Sequence, residues 1–171
     1  MKSFLTGVPG FDEVLGGGLW EGSLYLLEGL PGTGKTILAN QIAFGRAAAG
    51  DRVLYVSLIS ESHGKLIHHL RSMAFFDESQ VGERITYVSG YRSLADEGLS
   101  GLLDFLTAGM KNHRPAFLVI EGFSSAEYLT HKALELAQFL HQLNAMAATM
   151  RCTTLLVTHD QGDRDHPDHT L

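Results

Sequence analysis

Eight consecutive residues, Gly29-Leu30-Pro31-Gly32-Thr33-Gly34-Lys35-Thr36, place three glycines, a proline and one lysine between an apolar run, SLYLLE, and a helix-like one, ILANQIAF. Phosphate oxygens need several successive backbone N–H groups within hydrogen-bonding distance. A Cβ at Gly32 or Gly34 would crowd that approach, and glycine reaches the positive φ angles that turn amides inward. The N-terminus of the following helix adds unpaired N–H groups and partial positive charge. Lys35 can reach β- and γ-phosphates as a mobile point charge, and the Thr36 hydroxyl is placed to ligate Mg²⁺. A strand before and a helix after complete the context of a P-loop. The expected nucleotide-binding set is Gly29, Leu30, Pro31, Gly32, Thr33, Gly34, Lys35 and Thr36, with Ile37 in the first helical turn, and Lys35 also acts catalytically.

Triphosphate chemistry asks for further groups. The strand AFLVIE ends in Glu121 after five apolar residues. An unpaired carboxylate there is costly, so Glu121 is the expected Mg²⁺ acid, acting through a bound water. Aspartate is usual at such a position, and glutamate is one methylene longer. Glu61, in LISES, is the candidate to orient or deprotonate the attacking water, with an ordinary surface acid as the alternative. Thr158 and His159 close the run CTTLLVTH and are candidate sensors of the γ-phosphate.

These residues need a scaffold that brings them to one edge. Five strand-like segments recur, at 23–28, 52–59, 84–90, 116–121 and 152–159. All are nearly continuous in apolar character, as suits strands covered on both faces. Helix-like stretches lie between them. The last, HKALELAQFLHQLNAMAATM, places Leu134, Ala137, Leu140, Leu143 and Met146 about a turn apart. Strands alternating with helices imply an α/β fold: a mostly parallel sheet with helices on both faces, in three layers. In such a sheet the carboxyl ends of the strands share an edge, which would gather Glu61, Glu121, Thr158 and His159 near the loop.

Composition narrows the alternatives. A chain of 171 residues suits one domain, and its net charge of −6 with scattered Lys and Arg argues against nucleic acid and against a membrane surface. Lys65, His68, His69 and Arg71 sit at helical spacing and read as a solvated face. The single cysteine, Cys152, cannot form an internal disulfide and fits a reducing, cytoplasmic setting. His159, His166 and His169 with four tail aspartates lack the spacing of a strong metal site. The other histidines are expected to face solvent, and Trp20 to pack rather than to stack on a base.

The opening TGVPGFDEVLGGGLWEGSLYLLEGLPGTGKT resembles the start of KaiC-like ATPases, a branch of the RecA superfamily. The resemblance includes the upstream signature from Thr6 to Gly18 and continues through VLYVSLISES, FLVIEGFSS and LLVTH. It implies a RecA-like core that binds and hydrolyses ATP with Mg²⁺, releases ADP, and assembles as a homo-oligomeric ring, commonly a hexamer. Family roles include signalling switches, clock ATPase and autokinase activity, and accessory work in recombination. Glu121 replaces the family's aspartate, and the family's paired glutamates appear as Ser60-Glu61, so only Glu61 carries over. The family's domain continues past Leu171 with further strands, so residues 1–171 are expected to form one such domain without its C-terminal strands. The leading expectation is a slowly hydrolysing, nucleotide-dependent signalling or assembly switch. A catalytically weak nucleotide-binding module and a DNA-recombination accessory ATPase are the alternatives. For the GGG turn and its neighbours, Phe11, Val14 and Leu15 are expected to pack against the core.

Overall fold

The computed structural model describes residues 2–59, 63–129 and 133–159. Five parallel strands form the central sheet: β3 (Leu24–Leu27), β4 (Val53–Ser57), β5 (Ile85–Ser89), β6 (Phe117–Glu121) and β7 (Thr153–Val157). Their spatial order is β3-β7-β6-β4-β5. Every residue of β4, β6 and β7 is buried, the result expected of near-continuous apolar strands in the middle of a covered parallel sheet.

Alternation along the strands divides the core in two. Val53 and Tyr55 of β4 and Phe117 and Val119 of β6 face α2 (Lys35–Ala48), where Ala39, Ile42, Ala43 and Phe44 pack, and α3 (His63–Leu70) adds Leu70 to the same side. Leu54, Val56, Leu118 and Ile120 face the opposite layer, built from α4 (Tyr91–His113) and α6 (Ala133–Met150). The fold is therefore three-layered α/β, of the RecA-like P-loop kind.

Several elements depart from the sequence expectations. A two-stranded antiparallel ribbon, β1 (Ser3–Phe4) with β2 (Leu19–Trp20), precedes the sheet, and a one-turn helix α1 (Phe11–Val14) lies between them. Phe11 and Leu15 pack against the α2-side core, but Val14 is 81% exposed. Trp20 is 47% exposed on the ribbon, so it is not the packing residue expected. The Thr6 amide donates to Asp12 Oδ1 at 2.7 Å and the Val8 amide to Thr6 Oγ1 at 3.2 Å, so part of the upstream signature closes its own loop.

Helix α4 begins at Tyr91 and is broken at Gly98 (φ 66°, ψ −154°), a conformation open essentially to glycine. In α6 the buried row is Phe139, Leu143 and Ala147, flanked by Leu136 and Met150, while Leu134 is 69% exposed and Ala137 is exposed. The expected row stepped by three residues each time. Each such step slips about 60° around a 3.6-residue helix, whereas alternating steps of three and four stay on one face. The residues SSAEYL form α5 (Ser124–Leu129), two residues after the end of β6.

Candidate functional site

The strand register aligns Leu27 with Val157, Val157 with Glu121, and Glu121 with Ser57. The carboxyl ends of β3, β7, β6 and β4 therefore form one edge, and the loop 29–34 emerges from it into α2. Gly32 (φ 81°) and Gly34 (φ 86°) hold the left-handed conformation, and no atom lies within 4 Å of where their Cβ would stand. Gly34 is the N-cap of α2 and no side chain caps that helix. The first-turn N–H groups have no intrahelical acceptors and no side-chain cap, which leaves them available to an anion at the loop.

Lys35 is 6% exposed, and its ammonium donates to the carbonyls of Gly29 and Leu30, each at 2.7 Å. It also approaches Thr33 Oγ1 at 3.4 Å. The lysine thereby draws the loop's lead-in carbonyls together beside the helix N-terminus. Thr33 Oγ1 donates to Leu30 O at 2.8 Å, which closes the loop further. Leu30 and Pro31 are exposed at the loop's crest, and Ile37 is half-buried against the α2-side core.

Glu121 ends β6 and is 7% exposed. Its Oε1 accepts from the Thr36 hydroxyl and its Oε2 from the Tyr55 hydroxyl, the latter at 2.8 Å. The two oxygens expected to serve Mg²⁺ are thus adjacent, although 85 residues separate them in sequence. Both described partners of this carboxylate are neutral hydroxyls, so a divalent cation with a taste for hard oxygen fits the donor set.

Behind Glu121 lies a polar chain that the sequence did not disclose. Asn40 Nδ2 donates to the Tyr55 hydroxyl at 3.0 Å and to Thr36 O at 2.8 Å, and Tyr87 donates to Asn40 Oδ1 at 2.8 Å. Every donor in the series Tyr87, Asn40, Tyr55 points towards the carboxylate. Burial first, and then the negative Glu121, push both phenols well above the ordinary tyrosine value, so both remain protonated donors. The available signals were an asparagine on the apolar side of α2 and a tyrosine in mid-strand, but sequence alone does not bring them together.

A cavity of about 230 Å³ opens beside Thr36 and Glu121, lined also by Ser57, Ile59, His63, Lys65, Leu66 and His69. His63 is half-buried there, its ring 5.9 Å from that of Tyr87, rather than facing solvent. Glu61, expected at this edge, lies outside the described residues, as does the tail from Asp160. Thr158 reaches the edge, but its hydroxyl donates to Glu127 Oε2 at 2.9 Å and lies 3.0 Å from Ser124 Oγ. It is tied into α5, and not to Thr36 or Glu121. The backbone N–H of His159, an exposed residue, donates to Ser124 Oγ at 2.8 Å. Among the described residues no three His, Cys, Asp or Glu side chains form a metal-holding group, and no helix is long and apolar enough to cross a membrane.

Known proteins match this chain along most of its length. Residues 4–170 fit the family model for the KaiC ATPase. A UPF0273 protein of Thermotoga maritima is 43% identical over 173 aligned positions, covering 92% of this chain and 70% of that protein. A UPF0273 protein of Pyrococcus furiosus is 30% identical over 138 positions, covering 81% of this chain and 46% of its own. The DNA repair protein RadA of a Synechocystis species is 47% identical over a shorter stretch of 64, which is 37% of this chain and 12% of RadA. The chain spans about half the length of the Pyrococcus relatives it matches. A family match running nearly end to end agrees with a parallel sheet whose glycine-rich loop opens at its carboxyl edge, and the chain belongs to the KaiC-like ATPases of the RecA superfamily.

Proposed function

We propose that the chain binds Mg²⁺–ATP at the loop 29–36, hydrolyses it slowly, and uses the difference between ATP and ADP to switch its assembly or its hold on a partner. The observation that carries this reading is the meeting of an uncapped helix N-terminus with the Thr36–Glu121 pair at a single sheet edge.

In this reading the amides of Gly32, Gly34, Lys35 and Thr36 hold the phosphate oxygens. Lys35 exchanges its two carbonyl acceptors for the β- and γ-phosphates. Thr36 and Glu121 would hold Mg²⁺, the threonine through its hydroxyl oxygen and the carboxylate through water. When bound, Mg²⁺ neutralises charge on the β- and γ-oxygens. Glu61 orients the attacking water, and the cavity walled by Ser57, Ile59 and His63 is the space in which that water would stand. The glutamate in place of the usual aspartate is the feature that points to slow turnover. In a homo-oligomeric ring, the carboxyl edge of the sheet that carries the nucleotide would face a second copy of the chain. The RadA likeness keeps a DNA-linked role as a competing reading.

The test measures mass in solution with Mg²⁺ and ATP, ADP or neither, for the wild type and Lys35→Ala, alongside ATP turnover with and without single-stranded DNA. Nucleotide-dependent assembly in the wild type alone is expected, with affinity for ATP falling by one to two orders of magnitude, roughly, in the variant. Identical behaviour of the two proteins would remove the reading. Binding without turnover would leave a nucleotide-binding module, and stimulation by DNA would favour the recombination role.

A further inference from the structure

The buried chain behind Glu121 has a purpose that packing alone does not explain. Tyr55 and Asn40 are fully buried, and a series of apolar groups of similar shape, replacing every partner together, would cost little. Instead the protein places four polar groups in series from β5 through α2 and β4 to the end of β6. Tyr55 pairs with Val119 in the β4–β6 register, and Ser57 with Glu121. The Tyr55 side chain thus lies two residues back from Glu121 on the same face, and its phenol reaches along the sheet to Oε2. Tyr87, opposite Tyr55 on β5, braces it, with ring centroids 5.0 Å apart.

We propose that Tyr55 is the positioning residue for Glu121, with Asn40 and Tyr87 holding Tyr55 in place. Glutamate has one more rotatable bond than aspartate, and at this strand end that freedom would let the carboxylate swing away from Thr36. The phenol clamps one carboxylate oxygen and leaves the other facing the threonine hydroxyl. Asn40 bridges both sides, since its amide donates to the Tyr55 oxygen and to the Thr36 carbonyl. The metal acid on β6 and the hydroxyl ligand on α2 are therefore set by the same asparagine. A consequence is that Glu121→Asp, although aspartate is the usual acid, weakens the site: the shorter arm withdraws from Tyr55 and leaves a buried phenol without its acceptor.

The inference rests on the Mg²⁺–nucleotide reading of the site, and the test separates the two. Mn²⁺, read by electron paramagnetic resonance, is titrated into the ADP-bound protein, and ADP affinity is measured separately in a chelator. Tyr55→Phe is expected to raise the Mn²⁺ midpoint about tenfold while ADP affinity without metal stays within twofold, the size of a hydrogen bond to a charged group. Glu121→Asp raises the midpoint as well. In a Glu121→Gln background, Tyr55→Phe adds no further shift, because the positioning has nothing left to position. Tyr87→Phe, the milder change if Tyr55→Phe does not fold, raises the midpoint about threefold, as loss of a neutral hydrogen bond would. A folded Tyr55→Phe, or failing that Tyr87→Phe, with an unchanged midpoint overturns the inference, as does an equal shift in the Glu121→Gln background. A wild type that takes up no Mn²⁺ with ADP overturns both the inference and the site reading.

Discussion

At the scale of single residues, the loop between β3 and α2 depends on backbone conformations that side chains resist. Gly34 stands at φ 86° with open space around it, so alanine there meets strain and not collision. Gly34→Ala should lower stability by about 1–2 kcal/mol, the usual cost of the left-handed conformation, as read by chemical denaturation. It should also weaken nucleotide binding, because relief of the strain turns the amide out of the hollow. An unchanged unfolding midpoint would mean that the loop relaxes freely and is not held in the shape described. Lys35 acts in the opposite sense. Its ammonium gathers the Gly29 and Leu30 carbonyls, which keeps the loop shaped by the protein's own charge.

At the scale of elements, packing decides which helix faces matter, and α6 offers a direct comparison. Leu143 is fully buried against the β-sheet side of its helix, whereas Leu134 is largely exposed near its start. Leu143→Ala should cost about 2–5 kcal/mol in denaturant unfolding through lost burial and the cavity left behind. Leu134→Ala should stay within about 0.5 kcal/mol. The sequence spaces these two residues within one row of positions about a turn apart, but counting in threes is a poor guide to a 3.6-residue helix. The five strands were legible because unbroken apolar runs carry their own signal. The loop was legible for a similar reason, with every part of it inside eight residues. Asn40, Tyr55 and Tyr87 were not, because they belong to α2, β4 and β5 and meet only when the sheet and its covering helix are assembled. The break at Gly98 was equally hidden, since a glycine inside a leucine-rich helix does not announce its φ. Glu121 and Thr36 were each legible alone, but their contact was visible only in three dimensions.

For the molecule as a whole, the buried phenols make stability depend on alkalinity. Burial chiefly, and the nearby Glu121 in second place, raise the Tyr87 phenol above its ordinary value near 10. In the unfolded chain that proton leaves at about pH 10, while the folded protein retains it to higher pH. Stability from this group is fully present below pH 10 and falls as pH rises beyond it, because the unfolded state alone gains the charge. Denaturant midpoints should therefore be level across neutral pH and decline above about 10. Tyr87→Phe should start from lower stability and decline less steeply, and parallel declines in the two proteins would show that the phenol has no part in the effect. Cys152 adds a decline of the same sign with an earlier onset, near pH 9, since burial pushes its thiol from that ordinary value up to about 12, and this share is common to both proteins.

Among the described residues β3 has a single lateral neighbour, β7, and the Thr158 N–H is bonded to Leu27 O at 3.0 Å just before the loop begins. The strand that leads into the glycine-rich loop is thus propped from one flank, like a plank nailed along a single rail. Thr158 is in turn fastened to α5, which follows directly on Glu121. Any tug on that short helix arrives at the loop's root through two hydrogen bonds, with no other strand in between to absorb it.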